Sequence, residues 1–240
     1  RQLSTTLLQI ENEFYGTIRP KRRIRPGERP LHALSERGVE YVEVRCMDLD
    51  PFSPIGIKAD TMRFLDVFLL HCLLSESPPD TPQEIGAKAR NQHRVALRGR
   101  EPELKLERRG GEVPLTDWAD EVLGACQPLA AALDRAHDTT AYGNVVATAR
   151  RAIAEPSSTP SARVLREMKS AHEDSYLKFA LERSLQHRGY FKALPWDAVL
   201  EERYTRLAEA SRDEQNQIEA DDAVPFETYR RQYLALDLLN

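Results

Sequence analysis

The period of the apolar pattern changes once along this sequence of 240 residues, near residue 57. Before that point, Leu7–Thr17 and Val39–Asp48 alternate apolar and polar side chains, which is typical of half-buried strands. After it, apolar residues recur at helical spacing almost to the C-terminus. We therefore expect an α+β fold in two parts, with the strands in residues 1–56 and a mainly helical region in residues 57–240.

The helical region is predicted to contain seven segments and one basic loop, which follows Arg98 and is rich in glycine and proline. Thr116 or Asp117 is expected to cap the third segment, and Pro128 to kink it. The predicted segments are Asp60–Leu74, Pro82–Arg98, Thr116–Ala136, Ala141–Ala154, Ser161–Arg188, Trp196–Glu219 and Pro225–Leu239.

Two strands are too few for an independently stable sheet, so we expect partner strands from sequence upstream of Arg1. The chain begins at Arg1 with neither an initiator Met nor a signal peptide. It is therefore expected to be a fragment of a longer protein.

Composition excludes several classes of protein. The net charge of −4 and the pI of about 5.9 argue against a nucleic-acid-binding protein. No apolar run reaches the length of a membrane span, since Asp66 and His71 interrupt the longest candidate. Three widely spaced cysteines indicate reduced thiols in a cytoplasmic protein. Glycine-rich nucleotide-binding motifs and the nucleophile elbow of hydrolases are absent from the sequence.

A basic segment, Ile18–Pro30, lies between the two predicted strands. It contains six arginines and lysines and is broken by Pro20, Pro26 and Gly27, so it is predicted to be a loop. Such a run could bind phosphates or an acidic partner, or it could be a solvated loop. Because no aromatic residues alternate with the arginines, an RNA-binding module is not indicated.

The second strand carries the clearest candidate for chemistry. In VEYVEVR, alternation places Tyr41, Glu43 and Arg45 on one face, with Val42 and Val44 on the other. A carboxylate beside a guanidinium can hold a divalent cation and grip phosphate oxygens, as phosphoryl-transfer sites require. The alternative is a solvated ion pair of small energy.

The first strand adds Glu11, Glu13 and Tyr15 on one face. If the strands are neighbours, several carboxylates share a surface and would repel unless cations were bound. A solvated strand face with a tyrosine at its edge remains the alternative.

Several long motifs closely resemble the bacterial glutamate–cysteine ligase family, also called γ-glutamylcysteine synthetase, over its C-terminal half. The motifs are LQIENEFYGTIRPKR (Leu8–Arg22), GVEYVEVRCMDLDPFSPIG (Gly38–Gly56), RFLDVFLLHCLL, the NxxRVxLxGRxP pattern of Asn91–Pro102, and PSARVLREM (Pro160–Met168). The resemblance implies a catalytic sheet like that of glutamine synthetase. It also implies ligation of the γ-carboxylate of L-glutamate to the amine of L-cysteine, with ATP and Mg²⁺ (Mn²⁺ being possible).

The resemblance also implies roles for single residues. Glu43 corresponds to a magnesium ligand of the family, Arg45 to a catalytic residue at the ATP phosphates, and Tyr15 to a residue at the amino-acid site. By extension from the strand face and the basic segment, we expect Glu11 and Glu13 to bind metal as well. Arg19 and Lys21 are likewise expected to contact ATP.

The expected partners are L-glutamate, L-cysteine and the missing N-terminal half of the enzyme, without which the fragment should be inactive. Neither nucleic acid nor a membrane is expected as a partner. Two alternatives remain. One is a related ATP-dependent carboxylate–amine ligase with another amine substrate, and the other is a non-catalytic helical interaction module.

Overall fold

The structure is a computed structural model that describes residues 15–45 and 47–235. The chain divides into two compact units, Leu49–Ala193 and a unit formed by Arg1–Asp48 with Leu194–Asn240. Helices dominate, with small antiparallel sheets, so the expected α+β class is confirmed. Among the described residues, no helix is both long and apolar enough to cross a membrane.

The unit Leu49–Ala193 contains six helices and a hairpin. Its elements are α2 (Ala59–Leu74), α3 (Pro82–Arg98), β3 (Lys105–Arg108), β4 (Gly111–Pro114), α4 (Leu115–His137), α5 (Ala141–Ala154), a 3₁₀ turn (Pro156–Ser158), α6 (Pro160–Ala171) and α7 (Tyr176–Ala193). The predictions for α2, α3 and α5 are confirmed. The predicted caps of α4 are wrong, because the helix begins at Leu115, directly after Pro114.

The core of this unit lies between α2, α4 and α5, where five side chains are buried together: Val67, Leu123, Cys126, Ala130 and Val146.

A carboxylate of α4 fixes the start of the next helix. Asp134 accepts hydrogen bonds from the backbone N–H groups of Tyr142 and Gly143, both at 2.9 Å. It thereby satisfies donors that the first turn of α5 leaves without helical partners.

The predicted loop after Arg98 is wrong, because part of it forms the β3–β4 hairpin. Arg109 and Gly110 at its tip have φ of 50° and 78°. Two consecutive positive φ angles are typical of the two-residue hairpin turn whose twist matches that of the flanking strands. Asn91 of α3 holds the hairpin, since its side-chain amide donates to Glu107 O at 2.8 Å and accepts from Glu107 N at 2.9 Å.

The single helix predicted over Ser161–Arg188 is also wrong. The helix is interrupted between α6 and α7, where Glu173 and Asp174 have φ angles of 53° and 57°. Such left-handed residues end a helix, and apolar periodicity does not register a change of this kind in the backbone.

The second unit contains β1 (Ile18–Lys21), α1 (Pro30–Arg37), β2 (Tyr41–Val44), α8 (Ala198–Asp221) and α9 (Phe226–Tyr233). The prediction of a continuous loop over Ile18–Pro30 is therefore wrong. Pro20 lies inside β1, where a strand of a two-stranded sheet tolerates the missing N–H on its open side. The predicted strand Leu7–Thr17 lies almost wholly outside the described residues.

Candidate functional site

The pairing of β1 with β2 places basic and acidic side chains on one face. The strands are antiparallel, with Arg19 opposite Glu43 and Lys21 opposite Tyr41. Arg45 extends the same face, because its N–H donates to Thr17 O at 2.9 Å just beyond the last pair. Directly opposed residues of an antiparallel pair project to the same side of the sheet. The basic segment and the VEYVEVR strand are thus parts of one surface.

Glu43 lies at the centre of this surface. One carboxylate oxygen is 3.2 Å from the ammonium of Lys21, and the other accepts a hydrogen bond from the Arg45 guanidinium. The Glu43 side chain is 32% exposed, so water still reaches it. The hydrogen bond from Arg45, and a further one from Lys21, hold the pKa of the Glu43 carboxyl below its ordinary value.

Tyr15 joins the cluster through its ring. The guanidinium carbons of Arg19 and Arg45 lie 5.2 and 5.3 Å from the ring centroid, within the range of cation–π contact. We refer to Tyr15, Arg19, Lys21, Glu43 and Arg45 as the site face. The structure therefore brings together these five predicted residues. Glu11 and Glu13 lie outside the described residues.

The site face carries three cations and one carboxylate. Its net charge of about +2 favours a polyanion such as a phosphate chain. A divalent cation has less support from the described part of the chain, because Glu43 is the one carboxylate of the site face and both its oxygens already contact cations. Among the residues that the structure describes, the group that geometry brings together as possible metal ligands is Glu28, His32 and Glu36.

That second group is better explained as an ion pair than as a metal centre. The Arg37 guanidinium donates to both oxygens of Glu28, at 2.5 and 2.8 Å, and the N–H of Arg25 adds a third bond at 2.8 Å. The hydrogen bonds from Arg37 and then from the Arg25 N–H lower the pKa of Glu28 to about 2. Since both its carboxylate oxygens accept hydrogen bonds, Glu28 fixes the loop before α1.

A further cluster, which sequence reasoning missed, joins two of the family-like motifs. Within the unit Leu49–Ala193, the ring of Phe52 lies 3.6 Å from the Arg163 guanidinium and 5.0 Å from that of Arg183. Glu167 pairs with both arginines. The PFSPIG loop is thereby held against PSARVLREM. The spacing of Arg163 and Glu167, four residues apart on a helix, could have indicated the ion pair but not the aromatic partner.

The contacts of Glu43 give a testable pH dependence. Because the folded-state pKa of Glu43 is lowered, the stability that its ion pairs contribute is fully present above the unfolded-state value of 4.5 and is lost as pH falls through the lower folded-state value. We expect the Glu43 carboxyl carbon to titrate below pH 4.5 in an NMR titration. Arg45→Gln should raise the midpoint of the Glu43 titration. Arg63→Gln, which removes the exposed ion pair between Arg63 and Asp60 on α2, should leave that midpoint unchanged. An unshifted midpoint in Arg45→Gln would contradict the pairing.

Comparisons with known proteins identify the same family that the sequence motifs resemble. The glutamate–cysteine ligase family model matches residues 1–95. The glutamate–cysteine ligase of Pseudomonas paraeruginosa is 45% identical over 234 residues, which are 98% of this chain and 44% of that protein. The glutamate–cysteine ligase of Alcanivorax borkumensis is 42% identical over 233 residues, which are 97% of this chain and 44% of that protein.

A solved structure has the same fold. It is the crystal structure of the glutamate–cysteine ligase of Francisella tularensis in complex with AMP. The TM-score is 0.86 at 34% identity, over 97% of this chain and 46% of that chain. The resemblance read from the motifs is therefore confirmed over nearly the whole chain, which spans less than half the length of the relatives it matches.

Proposed function

Because this chain belongs to the glutamate–cysteine ligase family and spans less than half the length of its relatives, we propose that it supplies one wall of a ligase active site. The proposed reaction joins the γ-carboxylate of L-glutamate to the amine of L-cysteine with ATP, the first step of glutathione synthesis. The observation that carries the proposal is the site face. It is a net positive cluster inside the segment that the family model matches.

Arg45 is the proposed contact for the ATP phosphates. Its guanidinium can donate two parallel hydrogen bonds to phosphate oxygens and can offset the charge that spreads over the transferring phosphoryl group. Arg19 and Lys21 would extend this contact along the sheet. A charge of about +2 on the site face complements the charge of about −2 on ATP with one divalent cation.

Glu43 is the proposed ligand for Mg²⁺ or Mn²⁺, with Glu11 and Glu13 as further ligands. Mg²⁺ commonly takes one or two carboxylates and completes its shell with waters and substrate phosphates, so a single carboxylate fits as part of such a shell. When bound, the metal neutralises charge on the phosphates. The ionised state of Glu43, kept by Arg45 and Lys21, suits this role.

The chemistry requires an activated carboxylate, because a free carboxylate is a poor electrophile. A γ-carboxylate oxygen of glutamate attacks the terminal phosphorus of ATP, the bond from that phosphorus to ADP breaks, and an acyl phosphate forms. The cysteine amine then attacks the acyl carbon, loses a proton, and expels phosphate. Tyr15 is the proposed contact for the amino-acid substrate, positioned by its two arginine neighbours.

The proposal extends to the organisation of the chain. Residues 1–56 would contribute strands to the catalytic sheet, and residues 57–240 would form the helical region. Because the rest of the proposed site would come from the part of the relatives that this chain does not match, residues 1–240 alone should show no turnover. The reaction is placed in the cytoplasm, where ATP and reduced cysteine are available.

An isotope experiment tests this reaction. The protein used is a completed ligase, in which this chain replaces the matched segment of the Pseudomonas paraeruginosa relative. L-glutamate labelled with ¹⁸O in its γ-carboxylate is supplied with ATP, Mg²⁺ and L-cysteine. An acyl phosphate leaves one labelled oxygen in inorganic phosphate, whereas an acyl adenylate would leave it in AMP.

Label in phosphate that appears with γ-glutamylcysteine is the expected result. Label in AMP, together with release of pyrophosphate, would overturn the acyl-phosphate route. If the completed ligase is folded but uses a different amine in a screen read by phosphate release, the alternative ligase is correct. If it neither binds ATP nor turns over, the non-catalytic module is correct.

A further inference from the structure

The proposed reaction uses Glu43 and Arg45 of β2 but gives no role to Tyr41, which lies on the same face of that strand. Tyr41 is directly opposite Lys21 of β1, so its side chain projects to the side of the sheet that carries the site face. It is 53% exposed. Within the described residues, the Tyr41 side chain makes no hydrogen bond, ion pair or ring contact. An uncovered aromatic ring beside a charged site is available to a ligand.

The two tyrosines on this side of the sheet lie at opposite ends of it. Tyr15 is at the Arg45 end, where the guanidinium carbon of Arg45 lies 5.3 Å from the Tyr15 ring centroid. Tyr41 is four residues away from Arg45 along β2, a distance of about 13 Å in an extended strand. The Tyr15 ring also contacts the Arg19 guanidinium, whereas the Tyr41 ring has no cation beside it among the described residues. Tyr41 is therefore the ring that remains open to stacking.

The proposed chemistry fixes which way a nucleotide lies on this surface. Because the γ-carboxylate of glutamate attacks the terminal phosphorus of ATP, the amino acid and the terminal phosphate must meet at one place. The proposed contacts for these two groups, Tyr15 and Arg45, lie together at one end. The base is at the opposite end of the triphosphate, so it extends toward Tyr41.

Lys21 supports this direction. Its backbone pairs with Tyr41, but its ammonium lies 3.2 Å from the Glu43 carboxylate, in the middle of the surface. A cation thus lies between the Arg45 end and the Tyr41 ring, where the inner phosphates would pass. The order along β2 is a guanidinium, a carboxylate with its ammonium partner, and an aromatic ring.

The ring suits a purine base. Side chains of a strand stand roughly perpendicular to the sheet, so the Tyr41 ring can present its flat side to a base that lies along the surface. Stacking between an aromatic side chain and a base needs no hydrogen bond, since every base has a π-face.

We propose that Tyr41 is the stacking contact for the purine base of ATP. The inference rests on the proposed function for the identity of the nucleotide. It adds a binding residue at the end of the surface away from the transferring phosphoryl group. Because the base does not change during the reaction, the stack should contribute equally to binding of the ground state and the transition state. Loss of the ring should therefore raise KM for ATP and leave kcat unchanged.

Equilibrium titrations of the completed ligase test the stack, with ATP and with inorganic tripolyphosphate as probes, both in the presence of Mg²⁺. Tripolyphosphate carries the phosphate chain without a base. Tyr41→Ala should weaken ATP binding by about 5- to 150-fold and leave tripolyphosphate binding unchanged. Tyr41→Phe should keep the ATP affinity of the unsubstituted ligase, because the ring and not the hydroxyl makes the stack.

Val42→Ala is the matched control. Val42 is the next residue of β2, is 42% exposed, and projects to the other side of the sheet. Its truncation should change the affinity for neither probe. Unchanged tripolyphosphate binding also shows that Tyr41→Ala leaves the phosphate contacts folded.

The inference is wrong if Tyr41→Ala binds ATP normally, or if the unsubstituted ligase binds tripolyphosphate as tightly as ATP. Equal losses for both probes in Tyr41→Ala would assign the ring a structural role instead. These titrations need no turnover, so they separate the stack from the reaction. A selective loss of ATP binding in a ligase that forms no γ-glutamylcysteine would support the stack and count against the reaction. A completed ligase that binds neither probe would overturn both.

Discussion

Replacing Glu43 by alanine in the completed ligase is expected to lower kcat/KM for ATP by about 10²–10³-fold, with the Mg²⁺ dependence of the remaining activity altered. The substitution removes the proposed metal ligand. It also leaves Lys21 and Arg45 without the carboxylate that positions them. Since both effects act on the phosphoryl group during transfer, kcat should fall as well as the affinity for ATP.

One further variant separates charge from position. Glu43→Gln keeps the shape of the side chain and one acceptor oxygen, so Arg45 stays close to its place while the negative charge is lost. It should therefore be nearly as inactive as Glu43→Ala if metal binding is the main role. A much smaller loss in Glu43→Gln would assign Glu43 to positioning of Arg45.

Glu40→Ala is the matched control. Glu40 is another exposed carboxylate near the start of β2, and it pairs with Arg22 at 3.6 Å. It lies outside the site face, so its removal should change kcat/KM by less than about threefold. Near-normal activity and Mg²⁺ dependence in Glu43→Ala would refute the assignment of Glu43.

The long helices were predictable because their evidence is local. Apolar residues at helical spacing determined α3 and α5 to the residue, and Pro82 and Ala154 lie at their observed ends. Two of the corrections occur where two consecutive backbone angles decide the outcome. The hairpin tip at Arg109 and Gly110, and the break at Glu173 and Asp174, require positive φ angles that the apolar pattern does not encode.

The site was only partly predictable for a different reason. Alternation in VEYVEVR places Glu43 beside Arg45, but the pairing with Arg19 and Lys21 depends on the register of β1. That strand was predicted to be part of a loop because Pro20 lies within it and further prolines follow it. Roles for these residues came from the family resemblance and not from their spacing. The contact of Phe52 with Arg163 joins residues more than a hundred positions apart, so no local pattern could reveal it.

Phe179→Ala is expected to destabilise the unit Leu49–Ala193 by about 3–5 kcal/mol. Phe179 on α7 is 1% exposed. Its ring lies edge-on to Phe52 at 6.0 Å and to His172 at 5.5 Å. Truncation would leave a cavity between α7, the PFSPIG loop and the end of α6, all of which the ring contacts.

Phe191→Ala provides the control on the same helix. Phe191 is 46% exposed, so truncating it to alanine should lower the free energy of unfolding by less than about 1 kcal/mol. Urea unfolding of residues 1–240 can be followed by the fluorescence of Trp118, which lies in the same unit as Phe179, after Trp196→Phe removes the second tryptophan. Equal costs for the two truncations would show that the Phe52–Phe179 contact is not part of the core. A large cost for Phe179 alone would show that its ring packs against the PFSPIG loop in the folded unit.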